Sequence, residues 1–151
     1  MKIRLASESD LPQLMAMSEA AGSSVHWTRQ QWMDIFETKV PARIVWIAED
    51  VLQGEIRGIG FLVAQNGGVE WELENIAVLP AHLRQGGGRG LLLALLAYSR
   101  SVGAERVLLE VRASNVSAIA LYRQCGFQLV GHRSDYYGKP AEDALILVHT
   151  F

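Results

Sequence analysis

The sequence predicts an α+β fold: a single mixed, mostly antiparallel sheet of about seven strands with helices on both faces. Three observations carry that expectation. Residues 43 to 78 hold three strand-like stretches, the last two joined by the hairpin signal Asn66-Gly67-Gly68. Two strongly helical stretches come only late in the chain, and each is followed by further strand pattern. Antiparallel runs broken by two late helices make a mixed sheet. With 151 residues and no linker, repeat or low-complexity segment, the chain is expected to be one domain, 1–151, long enough to bury most of its apolar surface in one core.

The elements follow in order. Residues 2 to 5 alternate as a short strand, and Ser7 to Asp10 supply capping side chains before a helical face of Leu11, Leu14, Met15 and Met17; Pro12 is tolerated in the first turn. After the Gly22-Ser23-Ser24 break, Thr28 and Gln31 form a capping box for a second helix through Trp32, Ile35 and Phe36. Strands are expected at 43 to 49, 56 to 65 and 69 to 78, then a helix from 88 to 102 and a strand from Arg106 to Arg112. A helix from Asn115 to Gln124 and closing strands at 127 to 133 and 143 to 150 complete the chain.

Composition narrows the function. Hydrophobic residues make up 50% and charged residues 20%, with a net charge of −2, so the broad cationic footprint of a nucleic-acid binder is missing. The lone cysteine, Cys125, excludes an internal disulfide and suits a reducing cytosol, so a cytoplasmic location is expected. The chain opens straight into strand pattern, and no apolar stretch approaches a membrane span. His26, His82, His132 and His149 have no ligand spacing, so no metal is expected.

The most informative stretch is Arg84-Gln85-Gly86-Gly87-Gly88-Arg89-Gly90, a glycine-rich turn that opens a helix directly after a strand ending at Val78. Glycines let backbone approach an anion, and the first unpaired N–H groups of the helix point at it with the dipole behind them. Arg84 and Arg89 add charge. A flexible turn capping a core helix is the plainer alternative. Leu91 breaks the dinucleotide pattern G-x-G-x-x-G, and the triphosphate pattern G-x-x-x-x-G-K-[ST] is absent.

Two later residues belong with this cradle. Glu110 places a carboxylate inside the apolar strand run Val107 to Val111, which requires a partner, a cleft or a raised pKa. An ion pair with Arg112, two residues on and on the same strand face, is its structural alternative. Asn115, Ile119 and Tyr122 fall at i, i+4 and i+7 of one helix. Tyr122 could equally be core and Asn115 only an N-cap. Together, an anion cradle, a carboxylate and a phenol suit acyl transfer from a phosphate-bearing carrier.

From about Glu72 to Leu147 the chain resembles the GNAT acetyltransferases, and within them the RimI-type protein N-terminal alanine acetyltransferases. The resemblance is carried by ENIAVLP, RQGGGRGLL, LEVRASN, AIALYRQCGF and YYGKPAEDALIL, in that order. It implies a GNAT fold using acetyl-CoA as cosubstrate. Ile76, Ala77 and Val78 would offer main-chain groups to the pantetheine arm, Arg84, Gln85, Gly86, Gly87, Gly88 and Arg89 would hold the pyrophosphate, and Asn115 would add a contact. Glu110 matches the proton acceptor and Tyr122 the proton donor. Tyr136 and Tyr137 match tyrosines of a loop covering the substrate peptide, with aromatic packing as their alternative. The implied reaction is direct attack, in a ternary complex, of the N-terminal amine of a protein beginning with Ala, a small-subunit ribosomal protein, on the thioester.

Further expectations complete the reading. Glu72 is placed on the substrate side, and it shares a strand face with Glu74, so either remains a second candidate base. Cys125 lacks a nearby His and reads as a buried residue rather than a nucleophile. Leu83 stands where the family loop carries Gln or Arg, and Gly87 where it carries a bulky apolar residue, so the loop should be looser before ligand binds. A side chain at Gly88 is expected to fill the pyrophosphate space. The acceptor could instead be a small-molecule amine. A CoA-binding domain without turnover is disfavoured by the presence of both Glu110 and Tyr122. A monomer or weak dimer, with no nucleic-acid or membrane contact, is expected.

Overall fold

The computed structural model describes residues 1–22, 27–37, 41–138 and 141–151. Ser23, Ser24, His26 and the Lys139-Pro140 part of the closing segment lie outside them. Strands β1 (Lys2–Leu5), β2 (Arg43–Leu52), β3 (Glu55–Gly67), β4 (Glu70–Val78), β5 (Arg106–Arg112), β6 (Gln128–Gly138) and β7 (Ala141–Thr150) alternate with helices α1 (Leu11–Ala21), α2 (Arg29–Asp34), α3 (Gly87–Ser101) and α4 (Val116–Gln124). They form one seven-stranded sheet in the order β1-β2-β3-β4-β5-β7-β6. Every pairing is antiparallel except β4 with β5, whose connection crosses the sheet through helix α3 so that both strands run the same way.

Local chemistry sets the boundaries. Thr28 caps α2 reciprocally: its Oγ1 accepts from the Gln31 N–H at 3.2 Å while Gln31 Oε1 accepts from the Thr28 N–H at 2.8 Å. At the β3–β4 hairpin, Asn66 Oδ1 accepts from the Gly68 N–H at 2.8 Å, with Gly68 at φ 84°. β2 and β3 run past their expected ends and meet in a second hairpin at Gln53-Gly54, both left-handed, with φ 52° and 79°. Glutamine at such a position is an uncommon turn residue, so this hairpin carried no signal.

The sheet separates two cores. On one side Leu91, Leu92, Leu95 and Leu96 of α3, with Tyr122 and Cys125 of α4, pack on Trp46, Leu62, Trp71 and Leu109. On the other, Leu14 and Met17 of α1 and Trp32 of α2 pack on Val45, Ile47, Phe61 and Val63. β2 and β3 are therefore buried on both faces, which explains their long apolar runs.

Strand β4 carries a bulge that positions everything after it. Val63 pairs with Asn75 but the next residue, Ala64, pairs with Leu73, leaving Glu74 as the extra residue. Before it, odd-numbered Trp71 and Leu73 face the α3/α4 core; after it, even-numbered Ile76 and Val78 pack there. Without the extra residue Ile76 and Val78 would turn to the opposite face.

β6 also departs from expectation, running to Gly138 rather than 133. Its register with β7 shifts between Arg133 and Tyr137, and Asp135 sits at φ 51° with its N–H donating to Asp143 Oδ1 at 3.0 Å. Tyr136 and Tyr137 thus lie on a bulged strand, not on a free loop.

Candidate active site

β4 and β5 pair only from Glu70 to Leu73 and from Arg106 to Leu109. Beyond that, Ile76 to Val78 stay with β3 and Glu110 to Arg112 stay with β7, so the sheet opens as a wedge between them. The backbone groups β4 would turn towards β5 have no strand to meet there. A wedge of this kind presents edge hydrogen-bonding groups to an extended ligand.

On the α3/α4 side the wedge leads into a cleft of about 880 Å³. Ile76, Ala77 and Val78 form one wall, Arg84 and Gly86 to Arg89 the end, and Asn115, Ala118, Leu121 and Tyr122 the opposite wall. The expected cofactor residues are brought together, with one exception. Gln85 is exposed and does not line the cleft; it sits between left-handed Arg84 (φ 60°) and Gly86 (φ 88°). Sequence reasoning missed His82, Ser117 and Ala120, which also line it. The small side chains of Ser117, Ala118 and Ala120 are the sequence signal for an open helix face.

The cradle has the geometry of an anion site. Gly90 N–H donates to Gly86 O at 2.9 Å, closing the first turn of α3 and leaving the N–H groups of Gly87, Gly88 and Arg89 ahead of it directed out of the helix. His82 Nδ1 is buried at the cleft without a hydrogen-bond partner, a group that a ligand in the cleft would satisfy. Asn115 Oδ1 accepts from the Ala118 N–H at 3.3 Å, capping α4, and the residue lines the cleft.

At Gly88 a Cβ would meet Leu121 Cδ2 at 3.0 Å and Val78 Cγ2 at 3.9 Å, both of which line the cleft. At Gly87 a Cβ would make ordinary contacts, 3.7 Å from Met1 Sδ and 3.8 Å from Val78. The space of the missing apolar side chain therefore lies between the N-terminal residue and β4.

Tyr122 is 5% exposed and its ring leans on Phe127 at 5.9 Å. Burial pushes its phenol pKa well up, and the Tyr137 phenol adds to this, so Tyr122 keeps its proton throughout the neutral range. No protein group among the described residues is hydrogen-bonded to its hydroxyl. Cys125 is 8% exposed; burial raises its thiol, with Arg89 opposing, so it is held as thiol rather than nucleophilic thiolate.

The opposite face of the wedge carries the remaining expected residues. Glu110 does not pair with Arg112: Arg112 Nη1 donates to Glu142 Oε1 at 2.9 Å, whereas Arg133 Nη1 donates to Glu110 Oε1 at 3.0 Å. Arg133 also stacks on Tyr136 and Arg112 on Tyr137, each at 4.1 Å. Glu74 is held by Arg43 at 2.7 Å. Glu72 has no ion-pair partner among the described residues, and partial burial, then the charges of Glu74, Glu110 and Glu70, raise its pKa. Cleft and carboxylates thus meet at the wedge from opposite faces, with Tyr122 close to Tyr137 between them. Among the described residues no three His, Cys, Asp or Glu side chains could hold a metal, and no helix is long and apolar enough to cross a membrane.

The wedge between parallel strands has the glycine turn on one side and the carboxylates on the other, and the chain belongs to the acetyltransferase (GNAT) family, whose profile matches residues 11–127. It is an N-acetyltransferase of that family. It is similar to the ribosomal protein bS18-alanine N-acetyltransferase of Escherichia coli (strain K12), 42% identical over 108 residues, which are 63% of this chain and 72% of that protein. The aligned stretch makes up only 21% of a Mycobacterium leprae relative that is 44% identical over 78 residues. The crystal structure of the ribosomal-protein-S18-alanine N-acetyltransferase from Escherichia coli superposes with a TM-score of 0.85 at 30% identity, covering 99% of this chain and 92% of that one. Arabidopsis thaliana NAA60 in complex with acetyl-CoA has the same fold, with a TM-score of 0.87 at 18% identity over 99% and 98% of the two chains.

Proposed function

We propose that this chain acetylates the α-amino group of a protein that begins with alanine, a small-subunit ribosomal protein, taking the acetyl group from acetyl-CoA. The observation that carries the reading is the wedge itself: the cleft that fits a CoA chain opens on the same gap that Glu110 borders from the other face. Relatives named for alanine N-acetylation of bS18 support the acceptor. A ribosomal-protein acceptor goes with a cytoplasmic location, and residues 1–151 would act as one domain.

Acetyl-CoA supplies the activated acetyl thioester. In this reading the N–H groups of Gly87, Gly88 and Arg89 hold the pyrophosphate, the edge of Ile76 to Val78 aligns the pantetheine arm, and Asn115 adds a contact. Glu110 takes the proton that the substrate ammonium must lose before it can attack. Arg133 does not prevent this, because the pair is solvent-exposed, with 52% and 30% of the two side chains accessible, and water screens such a pair strongly. Glu72, with its raised pKa, and the stacked Tyr136 and Tyr137 line the approach of the peptide.

Tyr122 serves the leaving group. A thiol ordinarily titrates near 8.5 and a phenol near 10, so full transfer from phenol to free thiolate is uphill by about 2 kcal/mol even before burial raises the phenol. The phenol therefore acts by hydrogen bonding to the departing sulfur as the bond breaks, and gives its proton up late. The reading is tested by turnover of acetyl-CoA with short peptides differing in their first residue, run beside polyamines and aminoglycosides. Peptides beginning with Ala should react fastest; turnover of the small amines alone would assign a small-molecule acceptor.

A further inference from the structure

Side chains of β5, β6 and β7 form one continuous chain on the Glu110 face of the wedge, in the order Glu142, Arg112, Tyr137, Tyr136, Arg133, Glu110. Arg112 Nη1 donates to Glu142 Oε1 at 2.9 Å, and the Arg112 guanidinium lies 4.1 Å over the Tyr137 ring. Tyr137 meets Tyr136 edge-on at 5.2 Å. Arg133 lies 4.1 Å over the Tyr136 ring and donates to Glu110 Oε1 at 3.0 Å. The base sits at one end of this chain. Arg112 and Glu142, at the other end, have no part in the reaction as described.

Glu142 is the fixed end. Besides Arg112 it accepts from the Ser114 N–H at 3.2 Å and from Ser114 Oγ at 3.1 Å. These bonds, that of Arg112 first, hold its carboxyl below the usual carboxylate range, so it is ionised at neutral pH. The turn it grips runs into α4: the Asn115 N–H donates to Arg112 O at 3.0 Å, and Asn115 caps the helix that bears Tyr122. Arg112 is thus fixed along one edge, and its flat face meets the Tyr137 ring. Between Arg133 and Tyr137 the ladder with β7 is interrupted, so ring positions over this stretch are set by the side chains that grip them. The place of Tyr137 matters. Arg112 and Glu110 stand two residues apart on one strand and share a face, which puts the ring on the side of the base. Partial burial and then the Glu110 charge raise its phenol pKa, and the phenol adds to the rise that burial gives Tyr122, so the ring stands near both groups.

We propose, building on the N-terminal acetyltransferase reading, that Arg112 is a positioning residue for the acceptor: anchored by Glu142, its guanidinium plane holds the Tyr137 ring, and Tyr136 with it, where the incoming peptide meets Glu110. Arg112 does not line the cofactor cleft, so its effect is on the acceptor and not on acetyl-CoA. The planar group is what the role needs. A lysine there could still pair with Glu142, but it offers no flat face to an aromatic ring.

The test is a double-mutant cycle on the KM of an N-terminal Ala peptide, with Arg112→Lys, Tyr137→Leu and the two together. Arg112→Lys should raise the peptide KM about fivefold, the scale of a half-exposed cation–aromatic contact, with acetyl-CoA affinity and Tm close to wild type. Tyr137→Leu should raise it at least as much, and adding Arg112→Lys should then change nothing further. Glu142→Gln, which keeps shape and removes the charge that anchors Arg112, should shift the peptide KM the same way and completes the same cycle if Arg112→Lys does not fold. A peptide KM that neither Arg112→Lys nor Glu142→Gln moves overturns the role. So do effects of Arg112→Lys and Tyr137→Leu that multiply, or an equal loss of acetyl-CoA affinity, which a purely structural pair would give. Failure of the wild type to acetylate any peptide, while a small amine is acetylated, overturns the N-terminal reading and the role with it.

Discussion

Arg133 reaches across strand β7 to donate from Nη1 to Glu110 Oε1 at 3.0 Å, so the carboxylate of β5 is paired with a residue 23 positions away rather than with its strand neighbour Arg112. The pair is exposed on one flank, which lets a substrate ammonium take the place of the guanidinium. Glu110 is thus held in position without being buried in a permanent ion pair.

If Glu110 is the base, Glu110→Gln keeps shape and removes basicity, and kcat should fall by roughly 10²- to 10⁴-fold. Acetyl-CoA affinity, measured by calorimetry, should change little, because Glu110 does not line the cleft. An unchanged kcat would move the role to Glu72, whose raised pKa makes it the next candidate.

Tyr122→Phe should cost less than Glu110→Gln, since a thiolate leaves near neutral pH with modest help. Because burial raises the phenol pKa above its ordinary value near 10, Tyr122 stays protonated as pH rises, and its ionisation contributes no loss of activity below about pH 10. A pH–rate profile of the two proteins checks this. A basic limb present in the wild type and absent in Tyr122→Phe would contradict it.

The glycines of the cradle separate cofactor binding from folding. Gly87→Ala should stabilise by about 0.5–1 kcal/mol, since its Cβ fits at ordinary contact distances and the unfolded chain loses freedom. That corresponds to a rise of roughly 1–4 °C in Tm for a chain this long. Gly88→Val should instead lower Tm as well as weaken acetyl-CoA binding, because its side chain enters the Leu121 contact.

Asp10 ties β1 to α1. Its carboxylate accepts from Arg4 Nη1 and Nη2 at 2.9 and 2.8 Å, from Gln13 Nε2 at 2.8 Å and from the Ser7 N–H at 2.9 Å, and the Arg4 bonds hold its pKa far below the usual carboxylate range. A pKa depressed in the folded state contributes stability that is complete above the unfolded value near 3.9 and lost as pH falls below it. Asp10→Asn should therefore cost about 1–3 kcal/mol at pH 7, with the gap to wild type closing as pH is lowered from about 4. Urea unfolding at pH 7 and pH 2.5 measures both ends.

Much of this molecule could be read from local signals. The capping box at Thr28 and Gln31 and the Asn66-Gly67-Gly68 hairpin rest on contacts within a few residues, and the strand Arg106–Arg112 and the helix opening at the glycine turn also lie where their own sequences place them. What escaped depends on neighbours distant in sequence. The Glu74 bulge reverses the facing of Ile76 and Val78, the partner of Glu110 comes from β6, and the atom that a Gly88 side chain would crowd belongs to Leu121 on another helix.

The central claim is that the amine used is an N-terminal one. An α-amino group titrates near 8 and a lysine side chain near 10.4, so at pH 7 the neutral nucleophile is roughly 10²-fold more available at a peptide N-terminus, which suits a carboxylate base working without a metal. The decisive measurement is mass-spectrometric mapping of the acetyl group on a peptide with a free N-terminal Ala followed by Arg, beside the same peptide with a blocked N-terminus and an internal Lys. The account predicts acetylation of the first nitrogen and far slower reaction of the blocked peptide; acetyl on Lys at a comparable rate, or modification of polyamines alone, would contradict it.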